Sequence, residues 1–445
     1  MDRVYKKTKT FGYSFFSFFR YNVSGGIILM VMAVLAMIVA NSPWSSYYLE
    51  FLKYPISLSF GDFNVLNHHG EPLTMAMFIN DCLMVIFFFH VGLEIKREVL
   101  VGELSSIKKA SLPILAAIGG MVVPVLIYFL FDHASPASRG MAIPMATDIA
   151  FSLGVLSLLG KRVPLGLKIF LTAFAVVDDI GGILVIALFY NSGIEFSALF
   201  MALAILLVLF VLNKMKVQLR ALYVILGIAV WYFFLQSGIH STVAGVLVAF
   251  MIPAHPKLKI QKYIDRIRKS VNTFPESKQE SIVLTNDQIH ELKNIEAASD
   301  RVISPLQYME DKLKGLVNFF ILPLFAFANA GIALNGGTGD LWGTVTFGVI
   351  AGLVLGKPIG IFCITWLSVK LKLVSLPDEI SWEMIFGVAC LGGIGFTVSL
   401  FIANLSFDEI SQEILNQAKL GIIVGSIISG IIGYSLLKLF LSKKP

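Results

Sequence analysis

Across its 445 residues the chain is 56% hydrophobic and only 14% charged, with a formal net charge of +6. Soluble domains carry about 25% charged residues, so this composition excludes a water-soluble fold and calls for a multi-spanning membrane protein. The positive excess reports topology and contact with anionic membrane lipids, and gives no reason to expect nucleic acid as a partner.

Residues 1–21 place Lys6, Lys7, Lys9 and Arg20 among Phe and Tyr and run directly into an apolar stretch. That pattern predicts a cytoplasmic or interfacial segment and not a cleaved leader. Runs able to cross about 30 Å of hydrocarbon then predict an all-α integral membrane protein of twelve transmembrane helices. They fall near 22–41, 74–93, 111–131, 141–159, 167–190, 194–212, 221–236, 239–254, 316–334, 344–369, 384–405 and 417–441. Eight spans thus occupy 22–254 and four occupy 315–441, with a charged loop over 255–314 between them and a tail at 442–445. Lys96, Arg97, Lys108, Lys109, Lys161, Arg162, Lys168, Lys214, Lys216, Arg220, Lys370 and Lys372 fall on the terminal side. Lys53, Arg139 and Lys419 are the main opposing charges. The positive-inside rule therefore puts both termini and the 255–314 loop in the cytoplasm.

After the first span, Ile56, Leu58 and Phe60 alternate up to Gly61-Asp62 and are followed by Phe63 and Val65. This predicts a small extracytoplasmic β-hairpin at about 55–66, whose free edges offer pairing to a second copy. In the charged loop, Ile260, Tyr263, Ile264, Ile267 and Val271 recur at helical spacing among Lys262, Arg266, Arg268 and Lys269. A basic amphipathic helix on the membrane surface and a solvated connector are the two readings of that stretch. Cys82, Cys363 and Cys390 sit in apolar spans at unrelated spacings, so neither a disulfide framework nor a metal cluster is indicated and no cofactor is expected.

The run "MAIPMATDIAFSLGVLSLLG" buries Pro144, Thr147 and Asp148, and "FGVACLGGIGFTVSLF" carries Gly387, Gly392, Gly393 and Gly395. Proline removes a backbone donor and Thr suits the start of a new helix, so the fourth span reads as two half-helices. Glycine gives the eleventh span the freedom to unwind. The two broken spans are the middle members of spans three to five and ten to twelve. Interrupted segments in corresponding places predict inverted repeats with a binding site between them.

The informative charges are Asp178 and Asp179 in "IFLTAFAVVDDIGGILVIALFY" and Lys357 in "GLVLGKPIGI". A charge at the bilayer centre costs about 3 kcal/mol, so each needs a partner, a cation or a proton. Broken helices leave partial positive charge at their N-termini and partial negative charge at their C-termini; Asp148 is placed to balance the first and Lys357 the second. Neighbouring helix residues diverge by about 100°, so one aspartate is expected to pair with Lys357 while the other takes a small hard cation. Proton and cation then compete for the same oxygens, which with alternating access suffices for exchange. A structural ion-pair network closing the bundle is the competing reading for Asp148, Lys357 and the Asp178-Asp179 pair.

With these motifs in order, joined by "NDCLMVIFFFHVGLEIKREV" and "LPLFAFANAG", the chain resembles the NhaA family of bacterial sodium/proton antiporters from about Ser24 to Leu437. The resemblance implies electrogenic export of sodium or lithium against two protons in the bacterial cytoplasmic (inner) membrane. It also implies crossed fourth and eleventh spans, and a homodimer joined by the outer hairpin. Asp179 matches the family's principal cation ligand and Asp178 its second carboxylate, paired with Lys357. Thr147 and Asp148 match the crossing point, and Asp81 a further intramembrane carboxylate. Glu94, Arg97, Glu98 and His240 match residues tied to pH response, and Glu310 joins them by position. The chain departs from the best-known members at "QYMEDKLKGL", which lacks their histidines, and in its longer cytoplasmic loop. An intramembrane aspartyl protease is excluded because Gly393-Ile394-Gly395 is followed by Phe396 and not Asp, and a zinc membrane protease because no His-Glu-x-x-His occurs. A passive cation channel is the remaining alternative.

Overall fold

The computed structural model describes residues 23–442, apart from 61–62, 65–66, 69–70, 192, 256–259, 275–282, 333–340, 378 and 409. The expected interfacial segment at 1–21 and the last tail residues fall outside the described residues. Helix α1 (Val23–Ala40) ends where the Asn41 amide donates back to Met37 O and across to Ile332 O. The chain then bends by 112° into the short α2 (Ser45–Lys53).

Five short strands follow: β1 (Pro55–Ile56), β2 (Ser59–Phe60), β3 (Phe63–Asn64), β4 (Asn67–His68) and β5 (Glu71–Thr74). β2 and β3 pair antiparallel, Ser59 with Asn64 and Phe60 with Phe63, across the expected turn at 61–62, which itself lies outside the described residues. Strand β5 pairs with β1 on one side and β4 on the other, so the β region extends to Thr74. That extension was illegible in the sequence because Asn67-His68 and Glu71-Pro72 show no apolar alternation.

The helices continue with α3 (Met75–Val101), α4 (Ile107–Phe131), a 3₁₀ segment (Ala137–Met145) leading to α5 (Ile149–Ser157), and α6 (Leu165–Phe189). Next come α7 (Phe196–Lys214), α8 (Arg220–Ser237), the short α9 (Ser241–Met251), then α10 (Ile260–Asn272), α11 (Asn286–Val302) and α12 (Pro305–Leu316). The last are α13 (Leu322–Asn329), α14 (Thr344–Lys370), α15 (Trp382–Gly392), α16 (Phe396–Phe407) and α17 (Gln412–Ser442). Among the described residues seven helices are long and apolar enough to cross a membrane, or ten if each of three bent pairs counts as one span. The fourth and eleventh expected spans are two of those pairs, bent by 40° and 42°.

Three π turns adjust the register: Phe78–Leu83, Val317–Ile321 and Gly352–Gly356. The last two are each followed, two residues on, by a proline, Pro323 and Pro358. Proline lacks the donor that its preceding turn expects, and a widened turn lets the carbonyls re-pair: Leu322 N reaches Val317 O and Lys357 N reaches Gly352 O. Pro358 thus helps set where Lys357 points.

Packing follows small residues. A Cβ on Gly119 of α4 would collide with the Gly360 carbonyl of α14, and one on Gly360 with the Gly119 carbonyl. Only glycine lets these backbones approach so closely. Conversely, α7 turns Phe200, Leu203, Leu207, Val208 and Phe210 outward, the apolar surface that hydrocarbon would cover.

Candidate functional site

The two broken spans meet back to front. Asp148 is the N-cap of α5: its Oδ1 accepts from Phe151 N at 2.9 Å. Its Oδ2 accepts from Thr397 N at 3.1 Å and Thr397 Oγ1 at 2.6 Å, in the first turn of α16. One carboxylate therefore faces the partial positive ends of both second halves. The first halves end in carbonyls that hydroxyls of the opposite span satisfy. Thr147 Oγ1 donates to Gly392 O at 2.8 Å, Ser152 Oγ to Leu391 O at 2.9 Å, and Ser399 Oγ to Ile143 O at 2.7 Å. The backbone itself crosses where Asp148 N donates to Ile394 O at 2.7 Å.

Beside this crossing, α14 delivers Lys357, which is 0% exposed. Its Nζ donates to Asp178 Oδ2 at 2.6 Å and to Thr147 Oγ1 at 2.8 Å, and lies 5.5 Å from the centre of the Phe174 ring. Its ammonium is thus shared between the expected aspartate partner and the Thr147 hydroxyl, which itself donates to the helix-end carbonyl Gly392 O. Asp178 Oδ1 is buried and accepts no hydrogen bond among the described residues.

Asp179, the next residue on α6, differs. It is 7% exposed, and its carboxylate makes no side-chain hydrogen bond or ion pair among the described residues. The charges that act on it are Asp178, Glu94, Asp148 and Lys357, three acids against one base. An uncommitted carboxylate there suits a proton or a small cation with oxygen preference. Among the described residues there is no cluster of three or more His, Cys, Asp or Glu arranged to hold a resident metal.

The remaining expected residues divide between the two ends of α3. Toward α12, Arg97 Nε meets Glu310 Oε1 at 2.9 Å, while its Nη1 meets Glu98 at 3.0 Å and its Nη2 meets Glu94 at 3.9 Å. Burial pushes the Glu310 carboxyl above the ordinary glutamate range, with the Arg97 guanidinium opposing. At the strand end of α3, about 20 Å away by helical rise, His240 Nε2 lies 3.6 Å from Asp81 Oδ1. His240 Nδ1 is 2.8 Å from Thr242 Oγ1, and the ring sits edge-on to Phe401 at 5.2 Å. His240 is the N-cap of α9, at the start of the expected span over 239–254. Both side chains line a cavity of about 500 Å³ together with Asn80, Asn404, Arg139 and Asp408. Asp178 and Asp179 are not among its walls.

Sequence reasoning missed the residues that tie these parts together. Asn329 Nδ2 donates to Asn80 Oδ1 at 2.8 Å and Phe325 O at 2.9 Å, and its Oδ1 accepts from Asn404 Nδ2 at 2.6 Å. This amide cluster joins α13 to α16 and to the π turn of α3. Ser152, Thr397 and Ser399 complete the crossing. The available signal was the rule that polar groups inside apolar spans find partners, applied to "FAFAN" and "FIAN".

A family model described as Na+/H+ antiporter 1 matches residues 16–437. Among curated relatives, the Na(+)/H(+) antiporter NhaA of Phocaeicola vulgatus is 56% identical over 434 residues, covering 97% of each chain. That of Parabacteroides distasonis is 50% identical over 428 residues, 95% of this chain and 94% of the other. That of Helicobacter pylori is 46% identical over 414 residues, 92% and 91% of the two chains. With the match spanning nearly its whole length, the chain belongs to the Na+/H+ antiporter 1 family.

Proposed function

We propose that this sodium/proton antiporter takes its cation on Asp179, with Asp178 as a second oxygen donor held in reserve by Lys357. The carrying observation is the asymmetry of the pair: Asp178 is committed to Lys357 at 2.6 Å, whereas Asp179 is buried and unpaired among the described residues. A sodium or lithium ion approaching Asp179 gains the free carboxylate and draws on Asp178. Two protons, one on each carboxylate, are the alternative occupants. The empty, doubly charged site is too costly to carry across the membrane, so reorientation waits for one occupant or the other and the two fluxes are coupled. Exchange of one cation for two protons moves net charge and makes the cycle electrogenic.

Alternating access requires the broken spans to shift without exposing helix ends to hydrocarbon. The reciprocal caps between Thr147, Ser152 and Ser399 and the opposite carbonyls support an inverted repeat, since each span does for the other what the other does for it. Twelve spans, cytoplasmic termini and the bacterial inner membrane complete the reading, with a homodimer formed through the free edges of the β strands. The Arg97 cluster with Glu94, Glu98 and Glu310, and the Asp81–His240 couple, are the groups proposed to adjust activity to pH.

Everted vesicles holding a pH gradient test the site. Added sodium collapses the gradient with the unaltered chain, and Asp179→Asn abolishes the response. Collapse that persists in Asp179→Asn refutes the assignment, and sodium flux without proton movement would indicate a channel.

A further inference from the structure

Between α9 and α12 the chain makes an excursion that leaves and rejoins the bundle at one point, where Leu306 N donates to Pro253 O at 3.2 Å. Among the described residues α10 and α11 pack mainly on each other. Tyr263 is 1% exposed and donates its hydroxyl to Ala297 O at 3.4 Å. Helices of 13 and 17 residues are marginal on their own, and a two-helix unit of this size buries too little surface to sustain itself. Some further surface must support it.

The charge on α10 says which. Lys262, Arg266, Arg268 and Lys269 are all exposed, against one exposed acid, Asp265. Ile264 and Val271, on one face of the same helix at i and i+7, are 37% and 58% exposed, with Arg268 beside them. Two aliphatic side chains are too few for the core of a protein interface, but they suit shallow insertion among headgroups while long basic side chains reach the phosphates. The tether holds this helix beside the membrane from which the bundle emerges. We propose that α10 docks on the anionic lipid headgroups around its own tether, laying Ile264 and Val271 into the interface and carrying α11 on its outer side. The inference does not depend on the cation site.

The test uses the full chain with Cys82, Cys363 and Cys390 replaced by serine and a single spin label at Ile264→Cys or Val271→Cys. The protein is reconstituted in vesicles of phosphatidylcholine alone or mixed with phosphatidylglycerol. In the mixed vesicles both labels become several-fold more accessible to oxygen, and less accessible to an aqueous nickel complex, than in phosphatidylcholine alone. High salt, or the combined Lys262→Gln, Arg266→Gln, Arg268→Gln and Lys269→Gln variant, reverses the change. Labels that stay in water in phosphatidylglycerol overturn the proposal. Labels shielded equally in both lipids also overturn it and point to a protein contact. The lipid comparison on the chain with its charges intact decides the matter even if the four-residue variant loses its helix.

Discussion

Removing Lys357 provides the strongest energetic test of the buried site. Lys357→Met keeps the length and apolar stem of the side chain but deletes the ammonium that binds Asp178 Oδ2 at 2.6 Å and Thr147 Oγ1 at 2.8 Å. Asp178 already has one oxygen without a partner among the described residues, and the variant removes the charge that balances its carboxylate. Breaking a buried ion pair from one side costs about 3–5 kcal/mol. Unfolding entropy near 2.1 cal/mol/K per residue amounts to about 0.9 kcal/mol/K for 445 residues. A loss of about 4 kcal/mol therefore lowers Tm by about 4 °C, and by more where helices survive unfolding in detergent. The partner substitution reveals the cause: Asp178→Asn in the Lys357→Met background removes the stranded charge and recovers most of the loss. Thermal unfolding of the purified proteins in one detergent reads all four corners of the cycle. A Lys357→Met loss below about 1 °C, or a double variant less stable than Lys357→Met, would refute the reasoning.

Glu310 carries a pH signature with a definite sign. Its carboxyl is raised above the ordinary glutamate value by burial, so the folded chain binds its proton more tightly than the unfolded one. Stability contributed at this residue falls as pH rises from the unfolded to the folded value. Relative to Glu310→Gln, the unaltered chain should lose Tm over that window; a relative gain contradicts the assignment. The same variant should shift the pH profile of sodium-driven proton movement, and an unmoved profile removes the Arg97 cluster from regulation. Gly360→Ala forces a methyl against the Gly119 carbonyl, an overpacking worth about 1–3 kcal/mol, and should lower Tm; unchanged stability means the two helices sit farther apart than described. Deleting residues 56–65 should leave a monomer in mild detergent, and an intact dimer by light scattering rules out the β edges as the interface.

Much of this architecture is legible in the residues themselves. Pro144 and Thr147-Asp148 mark one break and Gly392, Gly393 and Gly395 the other, because proline, a capping side chain and glycine each act on the local backbone. The helical divergence of Asp178 and Asp179 separates their roles but does not assign them. Only the placement of α14 selects Asp178 as the partner of Lys357. The π turns are invisible to periodicity, since one extra residue per turn leaves an apolar run apolar. Asn80, Asn329 and Asn404 stand out one by one as polar residues in apolar runs, but they lie on three elements far apart in the chain, so nothing local says that they meet one another. The end of the short α9 is legible by contrast, since Pro253 pushes Ile252 into extended backbone; what the sequence does not announce is that Lys96 Nζ takes up the carbonyls freed there, Phe250 O and Ile252 O.

Competition between sodium and protons for one pocket is most directly measured by titrating the purified protein with sodium in a calorimeter over a series of pH values. The account requires proton release on binding, with an apparent affinity that weakens by about tenfold per pH unit of acidification for each proton displaced, and no binding heat in Asp179→Asn. A sodium affinity that stays constant across the series, with no protons released to the buffer, would contradict it.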